Sequence, residues 1–367
     1  MDAEIFSSYR DFLKLKDRWD DLYSRAGGDN MFLTWEWHEA LCRAFYRDRA
    51  PTIVSFEDKG EFVGIAPLIR ADETLYFISH PLGLGCMDFL ILRDHEAVFD
   101  CLLDLLGPRA ELHLQRIRQD SKTVPALDAV LQRREANWHR RVEGLSPYVP
   151  AQADFGKFLS DRPKKLVKEL KAAEKKLDAS GAWTFVREKS GPPAQEILEA
   201  LFELGRVKQR RGPSPSIFGQ PDEKTFFLDL LAHYHRHLGM ELSGIRQGDR
   251  FLSCSLGLSA GGRYYHWLMA ADRGLRKVAL GKLHLSRLID AVFRDGCGSF
   301  DFMLGDESHK LEWAESWLES CEYRVFPGSA ELYLHKARCT AGEALTAVRR
   351  CASPEWRRIG RRRSGKA

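Results

Sequence analysis

Between Phe251 and Phe293 the apolar residues change their spacing from every second position to the three-and-four rhythm of a helix, and no other stretch restricts the fold as much. Residues 251–258 and 263–270 read as the two strands of a hairpin closed by Ser259-Ala260-Gly261-Gly262. On the first strand Leu252, Cys254, Leu256 and Leu258 share one face, while Phe251, Ser253, Ser255 and Gly257 share the other. A face of small residues leaves room either for a closely packed helix or for a ligand that approaches the backbone. The second strand alternates Tyr264, His266 and Leu268 with Tyr265, Trp267 and Met269. Leu285, Leu288, Ile289, Val292 and Phe293 then mark a helix, and Ser299-Phe300-Asp301-Phe302-Met303 a further short strand. Strand, strand, helix and strand in that order specify an α/β (α+β) chain in which helices cover a sheet.

The first half alternates in the same way. Residues 9–23 and 35–45 have helical spacing, the second run capped by Thr34. Residues 52–56, 62–69, 74–78 and 89–92 are short β-rich runs, with Asp58-Lys59-Gly60-Glu61 as a hairpin turn. Helices at 96–106 and 124–134 flank a strand at 111–115, which predicts helices on a mostly antiparallel sheet. Proline and glycine around Leu145 to Pro150 read as a hinge, after which the order of elements broadly repeats. A chain of 367 residues exceeds what one core usually fills. The expected organisation is a lobe at 1–150, a second at 151–335 and a basic tail at 336–367.

With 44% hydrophobic and 29% charged residues the composition is that of a globular protein. The first residues lack the apolar core of a signal peptide, and nowhere do about 18 apolar residues run together. The expectation is a cytoplasmic protein with no transmembrane segment. Eight cysteines form no CxxC and find no histidine at metal-ligand spacing, so idle thiols and no metal are expected. The net charge of +4 conceals an uneven division: the tail from Lys336 carries ten Lys/Arg against two Asp/Glu, leaving the rest acidic overall.

Several groups could carry chemistry. The stretch Arg276-Lys277-Val278-Ala279-Leu280-Gly281-Lys282 feeds a helix N-terminus, where backbone N–H groups, the helix dipole and adjacent cations suit a pyrophosphate. Asp301 lies inside an apolar strand and must find partners or face a cavity. Asp306 and Glu307 begin the next helix, and Lys310, one turn on, is placed to pair with Asp306. Arg206, Lys208, Arg210 and Arg211 form a cationic knot before a loop, as a surface cluster or an anion site. From Lys164 to Leu177 a helix carries an apolar stripe with six lysines around it, as a solvated face or a contact for substrate phosphates.

These residues are shared with a known family. Phe32 with Trp37, the strand Gly64-Ile65-Ala66-Pro67-Leu68, the basic helix ending at Leu177 before Gly181, and the segment from Arg206 to Gly212 belong to the pattern. Its most specific part is Asp301-Phe302-Met303-Leu304-Gly305-Asp306-Glu307 followed by Lys310. Together they resemble the CelD/BcsL-type acetyltransferase family, a branch of the GNAT acyltransferase superfamily with distant Fem-type aminoacyl transferase relatives. His309 stands where the family usually has tyrosine, and Ala279-Leu280-Gly281 where it often has Ser-Pro-Gly. The resemblance implies tandem GNAT-like lobes, each a twisted mixed, mostly antiparallel sheet with flanking helices. It also implies an acyl donor held between two splayed strands of the second lobe.

On that resemblance, acetyl-CoA or another acyl-CoA would place its pyrophosphate at Lys277, Ala279, Leu280, Gly281 and Lys282. An acceptor amine would attack the thioester, with Asp301 or Asp306 binding or deprotonating it and Lys310 stabilising anionic charge or holding that carboxylate. Arg206, Arg210, Arg211, Ser253, Ser255, His266 and Trp267 are the expected substrate contacts. The reading is an N-acyltransferase acting on an amine of an amino sugar, polysaccharide precursor or specialised metabolite. Two alternatives stand beside it: Fem-like aminoacyl transfer from a charged tRNA, whose phosphates the basic helix and the arginine tail would suit, and a non-catalytic binding module that keeps the fold.

Overall fold

The structure, a computed structural model, describes residues 1–81, 85–107, 109, 111–152, 154–209, 217–219, 221–275 and 278–339. The first half runs β1 (Asp2–Phe6), α1 (Tyr9–Lys14), α2 (Lys16–Arg25), α3 (Trp35–Phe45), β2 (Pro51–Asp58), β3 (Glu61–Ala71) and β4 (Thr74–Phe77). It continues with β5 (Leu90–Ile91), α4 (His95–Leu106), β6 (Glu111–Arg118), α5 (Thr123–Arg133) and β7 (Asn137–Pro150). The second half runs α6 (Phe155–Ser160), α7 (Lys164–Ser180), β8 (Thr184–Glu188), α8 (Gly191–Gln209), α9 (Pro221–Asp229), β9 (Glu241–Gln247) and β10 (Arg250–Ala260). Then come β11 (Arg263–Ala271), α10 (Leu280–Arg294), β12 (Ser299–Asp301), α11 (Ser308–Leu311) and β13 (Ser316–Phe326), with residues 329–339 helical.

Thirteen strands form one mixed sheet in the order β1-β2-β3-β4-β6-β13-β7-β12-β11-β10-β9-β8, with β5 attached to β3. The predicted class holds, and local chemistry explains the elements. Thr34 caps α3 by accepting from the Trp37 N–H. Lys59 and Gly60 take φ of 52° and 79° and close the β2–β3 hairpin, as a turn of that hand requires. The continuous helix expected over residues 9–23 is instead two, because the chain turns at Leu15.

The hinge expected from Leu145 to Pro150 is not a hinge. These residues end β7, which pairs with β13 from Asn137 to Tyr148 and with β12 from Tyr148 to Pro150. Pro147 brings no N–H to the ladder, but its fixed φ suits the extended run and its carbonyl accepts from the Phe302 N–H at 2.9 Å. β13, from the far end of the chain, lies between β6 and β7 and so completes the sheet of the first half. The core also crosses residue 150. The Trp37 ring on α3 lies 5.2 Å from Trp267 on β11, and Phe32 lies 5.6 Å from Tyr265. No helix among the described residues is long and apolar enough to cross a membrane.

Candidate active site

β11 and β12 run parallel for three residue pairs, Arg263 with Ser299, Tyr264 with Phe300 and Tyr265 with Asp301, and then part. Both strands contribute to the separation. On β11, Leu268 faces Leu256 and His266 faces Gly257, which leaves Trp267 as the extra residue of a bulge. After β12 the chain turns away through Met303 at φ 61° and Gly305 at φ 130°. A cavity of about 690 Å³ opens there, lined by β11 from His266 onward, the start of α10 and the segment from Phe302 to Leu304. Its size is that of a small-molecule site.

The first turn of α10 forms one part of the wall. Ala279 is its N-cap and offers no side-chain cap, and no acid lies in the first turn. No side chain therefore answers the positive end of the dipole there, and the Lys282 N–H already donates to the Ala279 carbonyl at 3.0 Å. Ala279, Leu280, Gly281 and Lys282 all line the cavity, and Arg273 lines it beside them. The side chain of Lys282 is not available for a phosphate: its Nζ bonds Glu169 at 2.7 Å and Glu312 at 2.5 Å, tying α10 to α7. Lys277 lies outside the described residues, as do Arg210 and Arg211.

The second part of the wall is polar. Lys310 Nζ donates to the Leu304 carbonyl at 3.0 Å and pairs with Glu307 at 2.9 Å. Glu307, and not Asp306, is the partner, because α11 begins at Ser308 and Glu307 occupies its N-cap. Burial raises the Glu307 carboxyl, and the Lys310 charge pulls it below its ordinary value. Gly305 is required for this arrangement: a Cβ there would meet Glu307 Oε2 at 2.3 Å and Lys310 Nζ at 2.8 Å. Asp306 is half-buried and stands outside the lining.

His266 faces the cavity with its ring stacked on Phe300 at 5.5 Å. Burial pushes its pKa down to about 3, so at neutral pH it is an uncharged imidazole. Three ring nitrogens of lining residues, His266 Nε2, Trp267 Nε1 and Trp313 Nε1, are buried with no partner among the described residues.

Four further expected site residues lie elsewhere. Ser253 and Ser255 are fully buried beneath α10, where they bond His284: Ser253 Oγ is 2.8 Å from Nδ1 and Ser255 Oγ 3.2 Å from Nε2. Ser243 joins them at 2.8 Å, so the small-residue face serves helix packing and not a ligand. Asp301 is 1% exposed and outside the cavity lining. It accepts from Arg263 at 3.0 Å and from the Met303 N–H at 2.8 Å, and that second bond holds Met303 in its left-handed conformation. Burial raises its carboxyl despite these donors. Arg206 is exposed and also outside the lining. Sequence reasoning missed Arg116, Arg273, Glu307 and Trp313 as wall residues. Glu307 was recoverable from its place in the motif; Arg116, from the other half of the chain, had no signal.

Comparison with known proteins covers most, but not all, of the cavity wall, Gly85, Arg116 and Trp313 falling outside the matched residues. Residues 164–311 match the family model of the acetyltransferase (GNAT) domain. No curated protein matches. Among solved structures, FemX superposes with a TM-score of 0.61 at 12% identity, over 91% of this chain and 99% of that one. The C-terminal domain of a putative lysylphosphatidylglycerol synthetase from Agrobacterium fabrum gives 0.54 at 12% identity, over 90% and 96%. A tandem GNAT protein from the clavulanic acid biosynthesis pathway gives 0.51 at 12% identity, over 89% and 98%. Most of the cavity wall thus lies in a segment that matches an acetyltransferase (GNAT) domain, within a mixed α/β fold whose structural neighbours include a tandem GNAT protein.

Proposed function

We propose that the chain is an acyl-CoA-dependent N-acyltransferase whose acceptor is the amine of an amino sugar, polysaccharide precursor or specialised metabolite. The observation that carries this reading is the cavity between the parted ends of β11 and β12, closed on one side by the acid-free first turn of α10. A pyrophosphate would sit at the N–H groups of that turn with Arg273 beside it. The thioester arm would lie along the β11 edge, which beyond Tyr265 has no strand paired on that side.

The chemistry then needs few parts. A neutral amine attacks the thioester carbonyl, the C–N bond forms, the C–S bond breaks and coenzyme A leaves as a thiolate that takes up a proton. The Lys310 ammonium is the cation of the wall suited to the developing oxyanion. Glu307, ionised beside Lys310, is suited to receive the proton that the amine loses. No covalent enzyme intermediate is required.

Release of free thiol from acetyl-CoA in the presence of a panel of amines tests the reading, with mass spectrometry of the acylated product. Turnover that falls by two orders of magnitude or more in Lys310→Ala supports it. Full turnover in that variant removes Lys310 from the chemistry, and no turnover with any amine counts against the reading.

Charged tRNA is the alternative donor. The exposed lysines of α7, among them Lys164, Lys168 and Lys171, form a cationic face on a helix that packs against α10. Binding of tRNA with a steep salt dependence, lost when residues after Pro354 are removed, would favour this donor.

A further inference from the structure

Among the described residues, six non-glycine residues have φ in the left-handed region: Lys59, Asp72, Asp94, Arg116, Glu135 and Met303. Lys59 and Asp72 sit in hairpin turns, Asp94 is the N-cap residue of α4 and Glu135 follows the end of α5. Arg116 and Met303 alone belong to no such turn or helix end, and both line the cavity. Left-handed backbone at a side chain costs on the order of 1–3 kcal/mol and persists where the surroundings impose it, most often at functional sites.

Arg116 is imposed by a bulge. Opposite β13, Cys321 faces Ile117 and Tyr323 faces Leu114, so β6 carries an extra residue at Gln115 and Arg116. A matching irregularity on β7 places Glu143 between Val142 and Gly144, which face Cys321 and Ser320. Glu143 Oε2 accepts the Arg116 N–H at 2.9 Å and thereby fixes the bent backbone. Its other oxygen is 3.6 Å from the guanidinium, longer than a hydrogen bond. The Arg116 side chain is 18% exposed. A guanidinium has five N–H donors, and among the described residues Glu143, at that longer distance, is its ion-pair partner, which leaves donors for a ligand.

Resting on the acyltransferase reading above, we propose that Arg116 receives an anionic group of the acceptor, so that the acceptor is an amine that also bears a carboxylate or a phosphate. Arg116 and Gly85 are the lining residues that come from the first half of the chain, whereas the start of α10 comes from the second. The first half supplies acceptor recognition and the second supplies the donor site. A planar guanidinium matches both anions in a two-point contact.

Calorimetric titration of the full chain, with and without coenzyme A, tests this. The probes are 4-aminobutyrate against 4-aminobutyramide and O-phosphoethanolamine against ethanolamine, the two pairs separating carboxylate from phosphate. The expected result is a preference of about tenfold or more for the anionic member of one pair. That preference is expected to vanish in Arg116→Gln and to survive in part in Arg116→Lys. Glu143→Gln, which retains an oxygen for the Arg116 N–H, should keep the preference and guards against a variant that fails to fold. No preference in the unaltered protein, a preference that persists in Arg116→Gln, or a loss confined to coenzyme A affinity would each overturn the proposal. If coenzyme A does not bind while the anion preference remains, the acyl-CoA reading fails and the assignment of Arg116 stands.

Discussion

Two regions of the sheet share one local plan and differ in what they can hold. In each, a strand of a hairpin is followed by a helix and by a strand that returns parallel: β4, α4 and β6 in the first half, β11, α10 and β12 in the second. Both parallel pairs extend for three residues before parting. In the first half, Asp94 is the N-cap residue of α4 without a side-chain cap hydrogen bond, and Glu96 lies in the first turn, so a carboxylate already stands near the positive end of the helix dipole. The cavity of about 420 Å³ nearby is lined by polar groups that satisfy one another: Asp88 accepts from Ser121 and Thr123, and Asp120 from Arg118. In the second half, α10 begins without an acid, and the larger cavity retains unpartnered ring nitrogens. Both cavities are large enough for a small molecule, and side-chain charge decides which one suits an anionic donor.

The largest expected effect breaks the second site at its polar wall. Gly305→Ala drives a methyl group onto Glu307 and Lys310 in a backbone conformation that alanine avoids, and should cost two orders of magnitude or more in acyl transfer, as should Lys310→Ala. Steady-state thiol release is the measurement. A smaller effect transfers the character of the first site to the second. Gly281→Asp puts a carboxylate in the first turn of α10, where the nearest obstacle is the flexible end of Met269 at 3.1 Å, and should weaken coenzyme A binding about tenfold. Glu96→Gln, the reverse change on α4, should leave that affinity as it was.

The pH dependence of stability separates the halves less sharply. Burial lowers the pKa of His266 and His284 to about 3 and of His38 to about 4. Each is neutral when folded and binds a proton more readily when unfolded, with an ordinary pKa near 6.5. Their contribution is therefore whole above pH 6.5 and is lost as pH falls toward 4, at about 1.4 kcal/mol per pH unit for each histidine. Denaturant titrations at pH 7, 6 and 5 should show this decline, and His284→Asn should flatten it. The smallest effect is Arg206→Ala, which should change stability by less than about 0.5 kcal/mol and leave transfer rates alone, because Arg206 is exposed and away from the cavity.

How far the sequence carries this comparison depends on the range of the interactions. The β10–β11 hairpin, α10 and β12 were legible because periodicity and turn residues are local. Thr34 was legible as a cap for the same reason. The segment from Ser299 to Lys310 was legible as strand, turn and helix start, but not that Glu307, rather than Asp301 or Asp306, lines the cavity beside Lys310. That difference turns on where α11 starts and on a left-handed residue at 303, neither of which periodicity encodes. Ser253 and Ser255 were ambiguous because a small face admits a helix as readily as a ligand, and only His284, from α10, decides between them. The hinge at Leu145 to Pro150 misled because composition marks a proline and a glycine but not the remote strand, β13, that pairs with them.

The central claim is that the second opening, and not the first, receives the acyl donor. Hydrogen–deuterium exchange of the full chain with and without acetyl-CoA tests it most directly. Protection confined to residues 266–272 and 279–283 is the predicted result, with residues 78–81 and 94–97 unchanged. Protection centred on 94–97, or none at saturating acetyl-CoA, would contradict it.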